Sequence, residues 1–116
     1  MATVVPMTMH QGNDEVIDLV ITPVVSGDDL TLVTSLRFYL KPDVCTDDTD
    51  STVTVLTSAV PAQITITAQV ATQIDATVYV PAASLTDPYA RVWRVDAYSG
   101  TTHRTAMYGP VTVIDL

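Results

Sequence analysis

The stretch that decides the fold is RVWRVDAYSGTTHRTAMYGPVTV, residues 91–113. Trp93 and Val95 alternate with polar or charged residues, as side chains do along a strand that buries one face. The following Ser-Gly-Thr-Thr is a turn sequence, in which Gly100 can adopt the positive φ that tight hairpin turns require. The return segment continues the alternation through Val111. The stretch therefore predicts a β-hairpin with Trp93 in the core.

The same alternation recurs in five other segments, which are separated by Pro, Gly or Asp: residues 14–22, 35–42, 51–58, 63–67 and 75–81. Short alternating segments with regular turn signals predict an all-β sandwich or barrel. Helix is expected only as one short turn within residues 81–89. Gly109-Pro110 predicts a kink or bulge where the chain could change sheets. The residues predicted to face the core are Ile17, Leu19, Ile21, Phe38, Val53, Val55, Ile64, Ile66, Val78, Val80, Trp93, Val95, Val111 and Val113.

Composition supports the β interpretation and excludes several function classes. Thr and Val, with 19 and 18 copies among 116 residues, are β-branched and fit a pleated sheet better than a helix. A chain of this length is expected to form one domain. Its formal charge of −8 argues against a nucleic-acid partner, because phosphate binding needs a basic surface. We find no apolar stretch of membrane-spanning length and no signal peptide.

The candidate metal site is an acidic loop at residues 43–50, which contains Asp43, Asp47, Asp48 and Asp50. Calcium takes about six to eight oxygen ligands, but the EF-hand spacing with its central Gly and terminal Glu is absent. The alternative interpretation is a solvated acidic turn, and we favour it. We therefore predict no metal site and no cofactor.

Candidate nucleophiles and bases are few. His10 and His103 are far apart in the sequence and belong to no metal-spaced cluster. Cys45 is the single cysteine, so no internal disulfide can form. It could act as a nucleophile with either histidine, but a small, partly buried apolar role is the simpler interpretation. The four glycines form no phosphate-binding loop. We predict no catalytic residue and no enzyme activity.

Four elements follow one another along the chain: QGNDEVIDLVIT (11–22), DDLTLVTSLRFYLKP (28–42), DATVYVPAASLTD (75–87) and YARVWRVDAYSGTTHRTAMYGPVTV (89–113). Together they resemble the small immunoglobulin-like domains of tailed-bacteriophage structural proteins, such as the amino-terminal domain of baseplate upper proteins. The resemblance implies one immunoglobulin-like antiparallel β-sandwich over residues 1–116, with about seven to nine short strands and almost no helix.

The resemblance also implies a non-enzymatic virion protein that is assembled in the host cytoplasm. The chain ends after the last predicted strand, where baseplate and fibre proteins continue into a further domain. We therefore expect an auxiliary head protein that decorates the capsid, binds the major capsid protein or other virion proteins, and forms a homo-oligomer, often a trimer in such proteins. The alternative is a component of the tail, baseplate or head–tail junction.

A different alternative is a host-surface or carbohydrate-binding module. Sugar rings stack on exposed aromatic side chains, so this function requires a platform of tyrosines. The candidates for that platform are Tyr39, Tyr79, Tyr89, Tyr98 and Tyr108.

Two groups of residues are candidates for contacts with other virion proteins. The first is the apolar segment 1–9, which is either an arm or edge strand that docks onto a neighbour and whose removal would leave the fold intact, or an internal first strand. Its candidate contact residues are Met1, Val4, Val5, Met7 and Met9. The second group comprises Arg91, Arg94 and Arg104 on the predicted hairpin. These arginines pair either with Asp96 or with acidic residues of a partner.

Overall fold

The computed structural model describes residues 3–85 and 92–114. This part of the chain contains nine strands and two short 3-10 helical turns, Leu30–Leu32 and Ala82–Leu85. The strands are β1 (Thr3–Val4), β2 (Met7–His10), β3 (Glu15–Ile21), β4 (Ser35–Lys41), β5 (Thr54–Thr57), β6 (Ile64–Val70), β7 (Gln73–Val80), β8 (Val92–Ser99) and β9 (Thr102–Ile114). In this part of the chain no helix is long and apolar enough to cross a membrane.

The strands form two sheets that pack face to face. The large sheet has the order β1-β9-β8-β4-β5, with β2 also paired to β9, and the small sheet has the order β3-β7-β6. In the immunoglobulin fold the second, fifth and fourth strands share one sheet, and the third, sixth and seventh share the other. If β1 and β2 are counted as the first strand and β5 is set aside as an additional edge strand beside β4, then β3, β6 and β7 are the second, fourth and fifth strands, and β4, β8 and β9 are the third, sixth and seventh. The predicted immunoglobulin-like sandwich is confirmed.

The arrangement is not purely antiparallel. β1 and β2 run parallel to β9, whereas every other pairing is antiparallel in the described residues. The first strand therefore lies on the large sheet, beside the last strand, and β3 has only β7 as a neighbour.

The core lies between the two sheets and is centred on Trp93, whose ring stacks on Phe38 with centroids 5.8 Å apart. Most of the predicted core residues are buried. The fully buried ones are Leu19, Ile21, Phe38, Ile64, Val78, Val80, Trp93, Val95 and Val111. Ile17, Ile66 and Val113 are half-buried and pack against the same cluster.

The prediction that Val53 and Val55 face the core was wrong, because the other face of β5 is the buried one. Val55 is 42% exposed, whereas Leu56 is buried, and Val53 is half-buried just before the strand begins. Leu56 lies opposite Phe38 on β4, and Val55 lies opposite Tyr39 on the outer face. Since adjacent Val and Leu cannot both face the core, burying the larger leucine removes more apolar surface from water.

The predicted kink at Gly109-Pro110 was also wrong, because β9 continues through both residues. The register shift lies at Ala106, which is the extra residue between the pairs Val95–Met107 and Asp96–Thr105. Ala106 and Met107 are both buried, as expected where a bulge turns two successive side chains inward.

The N-terminal segment is an edge strand of the large sheet and not a free arm. β1 and β2 pair with β9 in one continuous register, from Thr3 opposite Met107 to His10 opposite Ile114. Met9 is only 1% exposed and belongs to the core. The expectation that residues 1–9 could be removed without loss of the fold is therefore corrected.

Between β1 and β2, Val5 lies opposite Gly109 and its amide donates to the carbonyl of Tyr108 at 2.9 Å. The next parallel-ladder bond would run from the amide of residue 110 to the carbonyl of Val5, but Pro110 has no N–H. The indole Nε1 of Trp93 donates to the Val5 carbonyl instead, at 2.8 Å. A Cβ on residue 109 would lie 2.0 Å from this carbonyl oxygen, so only glycine fits there.

Replacing Met9 by alanine is expected to destabilise the fold by about 2–5 kcal/mol, because it leaves a cavity in the core. Thr8→Ala is the matched control, since Thr8 is the exposed neighbour on the same strand. Urea unfolding of both variants measures the difference. Equal midpoints for Met9→Ala and the wild type would contradict the placement of β2 in the core.

Candidate functional site

One row of side chains crosses the outer face of the large sheet from edge to edge. Its members are cross-strand partners on β5, β4, β8, β9 and β1: Val55, Tyr39, Arg94, Tyr108 and Val4. The Arg94 guanidinium lies 4.3 Å from the centroid of the Tyr39 ring, and Tyr39 is only 5% exposed. Tyr108 and Val4 are 44% and 56% exposed. The half of the row toward β1 is therefore open to solvent.

An apolar groove lies beside this open half of the row. It has a volume of about 400 Å³, and its apolar lining includes Val4, Val44, Val92, Tyr108 and Pro110. Val44, which comes from the acidic loop, is 72% exposed. An apolar depression with a polar border can receive an apolar side chain of another protein. We call this surface the β1–β9 groove and take it as the candidate functional site.

Two cations at the border of the groove, Lys41 and Arg94, belong to a network of four charged groups. Asp48 accepts from Lys41 Nζ at 2.9 Å and from Arg94 Nη2 at 2.6 Å. Arg94 Nε lies 3.0 Å from Oδ1 of Asp96, and the same oxygen accepts from the Thr105 hydroxyl at 2.9 Å. Two positive and two negative groups thus balance one another, and Asp48 fastens the acidic loop to the sheet.

The charges of this network stabilise one another. The hydrogen bond from Arg94, followed by that from Lys41, lowers the pKa of Asp48 below its usual value. Burial of Arg94 opposes its charge, but the hydrogen bond to Asp48 and the attraction of Asp96 raise the pKa of Arg94 above its usual value. The pairing of Asp48 with Arg94 therefore favours the charged form of both groups and holds this part of the border in place.

The other aspartates of the acidic loop hold its turns. Asp47 accepts from the amide and the hydroxyl of Thr49, and Asp50 accepts in the same way from Thr52. Asp43 accepts from the amide of Cys45 at 2.7 Å. Such side-chain-to-backbone bonds two residues ahead are common in Asp-rich turns. Over residues 3–85 and 92–114, no three His, Cys, Asp or Glu side chains are placed to hold a metal ion.

The candidate nucleophile and bases lie in different parts of the molecule. His10 pairs with Glu15 at 3.2 Å beside the end of β9, whereas His103 stacks on Tyr98 near its beginning. A strand rises about 3.3 Å per residue, so the two histidines are on the order of 35 Å apart. Cys45 is exposed, which corrects the expectation of a partly buried thiol.

The structure separates the predicted contact residues. Val4 lines the β1–β9 groove, whereas Val5 and Met7 pack against the core with Met9. Arg94 is paired with Asp48 and Asp96, and Arg104 Nη1 lies 2.9 Å from Asp28 Oδ2, so both bind acids of this chain. Met1 and Arg91 lie outside the described residues.

The four tyrosines that the structure describes do not form the single platform that a sugar-binding module would need. Tyr39 is buried under Arg94, and Tyr98 lies between Arg37 and His103. Tyr79 belongs to the small sheet, whereas Tyr108 belongs to the large one. Tyr89 lies outside the described residues.

Comparison with known proteins does not assign the chain to a family. No family model and no curated protein sequence matches the chain. Of the groove residues Val44, Val92, Tyr108 and Pro110, sequence reasoning named only Tyr108, as a candidate for a sugar-binding platform. Strand alternation could have placed Tyr108 on the outer face, and a lone valine within an acidic loop is a signal for Val44, but only the tertiary fold brings the four together.

Asp48→Asn is expected to destabilise the fold at pH 7 by about 1–3 kcal/mol, because Lys41 and Arg94 lose their shared carboxylate. The folded-state pKa of Asp48 is lowered, so its contribution is present above the unfolded value near 3.8 and is lost as pH falls through the folded value.

Urea unfolding of the wild type and Asp48→Asn should therefore differ at pH 7 and converge in acid. Asp43→Asn is the control from the same loop, since Asp43 binds only a backbone amide in the described structure. A difference that persists unchanged well below pH 4 would contradict the assigned role of the carboxylate.

Proposed function

We propose that this chain is a non-enzymatic structural protein of a tailed-phage virion and that it binds another virion protein through the β1–β9 groove. The observation that carries the proposal is the groove itself. It leaves Val4, Val44 and Tyr108 exposed in the isolated chain, beside charged groups that are already ion-paired with one another.

The framework behind the groove supports a binding role. The floor of the groove is the large sheet, and the acidic loop that forms one wall is fastened to it by Asp48. A surface held in this way loses little conformational freedom on binding, which favours affinity. A partner that inserts an apolar side chain would bury Val44 and Tyr108 without having to break the Asp48 ion pairs.

The resemblance to phage immunoglobulin-like proteins supports a virion partner. The net charge of this chain favours a partner with a basic surface. A chain with a net charge of −8 is attracted to a basic surface. We propose that the partner is the major capsid protein and that the chain binds its outer surface. The alternative is that the chain is a component of the tail, baseplate or head–tail junction. Many weak contacts on a repeating shell would add up to stable attachment.

Electron microscopy of intact particles tests the assignment directly. If the chain decorates the shell, density for the sandwich is expected on the outer capsid surface, in hundreds of copies, with the β1–β9 groove facing the shell. Density confined to the tail, in a few dozen copies at most, would support the alternative location. Absence of the chain from purified particles would overturn the proposal.

Val44→Asp is expected to weaken attachment to purified shells at least tenfold, about 1.4 kcal/mol, because it places a charge in the apolar contact. Val60→Asp is the matched control, since Val60 is also exposed but lies in the turn between β5 and β6. Co-sedimentation of tagged chain with undecorated shells measures both. Equal loss for the two variants would point to net charge and contradict the role of the groove.

A further inference from the structure

The free edge of β3 is the longest unprotected strand edge in the described part of the molecule. β3 spans seven residues, pairs only with β7, and contains neither a proline nor a bulge. The opposite edge of the sandwich is different, because Pro6 interrupts the strands β1 and β2 that pair with β9. Natural proteins usually protect an exposed edge by such interruptions.

The remaining edges are short or interrupted. β5 has four residues. β6 contains a register shift between Ile66 and Ala68, and the amide of Ile64 already donates to the carbonyl of Val60 at 3.2 Å. Only β3 therefore offers a regular ladder of backbone groups among the edges in residues 3–85 and 92–114.

The pairing fixes which residues of β3 present these groups. The amide of Tyr79 donates to Gln63 on the β6 side at 2.8 Å, so the backbone polar groups of Tyr79 point away from β3. Val16 lies opposite Tyr79, and its own N–H and C=O therefore point to the free edge. The same holds at every second residue, so Val16, Asp18 and Val20 present the edge.

The same three residues also carry the outward side chains of β3. Val16 and Val20 are 63% and 53% exposed, whereas Ile17, Leu19 and Ile21 face the core. Asp18 lies between the two valines and accepts from the hydroxyl of Thr77 at 3.1 Å. The edge thus combines unpaired backbone groups with an apolar–acidic–apolar row of side chains.

We propose that β3 binds an extended segment of a partner protein as an added strand, and that this segment carries Lys or Arg opposite Asp18 with apolar residues opposite Val16 and Val20. Strand addition at an exposed edge gives affinity through main-chain hydrogen bonds and specificity through alternate side chains. Opposite charges on directly facing residues stabilise such a pair.

A second copy of this chain is the less favourable occupant. Antiparallel self-pairing of β3 about its central residue would place Asp18 opposite Asp18 of the copy, and facing like charges destabilise the pair. The net charge of −8 on each copy adds to this repulsion. A basic segment avoids both the Asp18–Asp18 repulsion and the repulsion between net charges. The inference concerns the edge alone and does not depend on the phage assignment.

Nuclear magnetic resonance titration of the isolated chain tests the inference. The probe is a blocked heptapeptide in which Val, Lys and Val alternate with Thr, and the control peptide carries Glu in place of Lys. We expect the amides of Val16, Asp18 and Val20 to shift and to become protected from exchange, with at least tenfold tighter binding of the Lys peptide.

Asp18→Lys should reverse the preference, so that the Glu peptide binds more tightly. Asp43→Lys makes the same change in net charge on the acidic loop beside the other sheet, and it should leave the preference unchanged. The thermal unfolding of both variants checks that they fold. Equal binding of the two peptides, binding at another edge, or dimerisation of the wild type through β3 would each overturn the inference.

Discussion

The indole N–H of Trp93 and the carbonyl of Val5 form the hydrogen bond on which the rest of the arrangement depends. Pro110 cannot supply the parallel-ladder donor for this carbonyl, and a side chain at Gly109 would collide with it. The bond thus satisfies a partly buried backbone group and holds the N-terminal segment against β9 at the point where Pro6 interrupts the strand. Leaving such a carbonyl without a partner would cost on the order of 1–3 kcal/mol.

Two surfaces follow from fixing the first strand on the large sheet. Val4 comes to lie beside Tyr108, which completes the β1–β9 groove together with Val44 from the acidic loop. At the same time no second strand within residues 3–85 and 92–114 pairs with β3, because the segment that precedes it pairs with β9 instead. The groove is apolar, and the positive and negative charges at its border balance one another. The β3 edge instead presents a row of backbone N–H and C=O groups with one carboxylate, that of Asp18. These different chemistries favour different partners.

Alternation along the chain was enough to predict an all-β sandwich or barrel and most of its core, because one buried face imposes a period of two on every strand. It failed at Val55, where adjacent apolar residues left the phase undetermined, and at segment 1–9, where an apolar run fits an arm as well as a strand. The groove could not be predicted, since Val4, Val44 and Tyr108 meet only through strand order and an ion pair from a loop. The hydrogen bonds that Thr49 and Thr52 donate to Asp47 and Asp50 in the acidic loop were likewise not predicted, because metal-ligand spacing does not report on them.

Amide hydrogen exchange in the wild type and in Trp93→Phe tests the central role of this hydrogen bond most directly. Phenylalanine retains an aromatic ring in the core but removes the donor to Val5. In the variant we expect the amides of Val5 and Gln11, which donate to Tyr108 and Ile114, to lose more protection than the core amides of β4 and β8. Equal loss throughout the sandwich, or unchanged protection of Val5 and Gln11, would contradict this role.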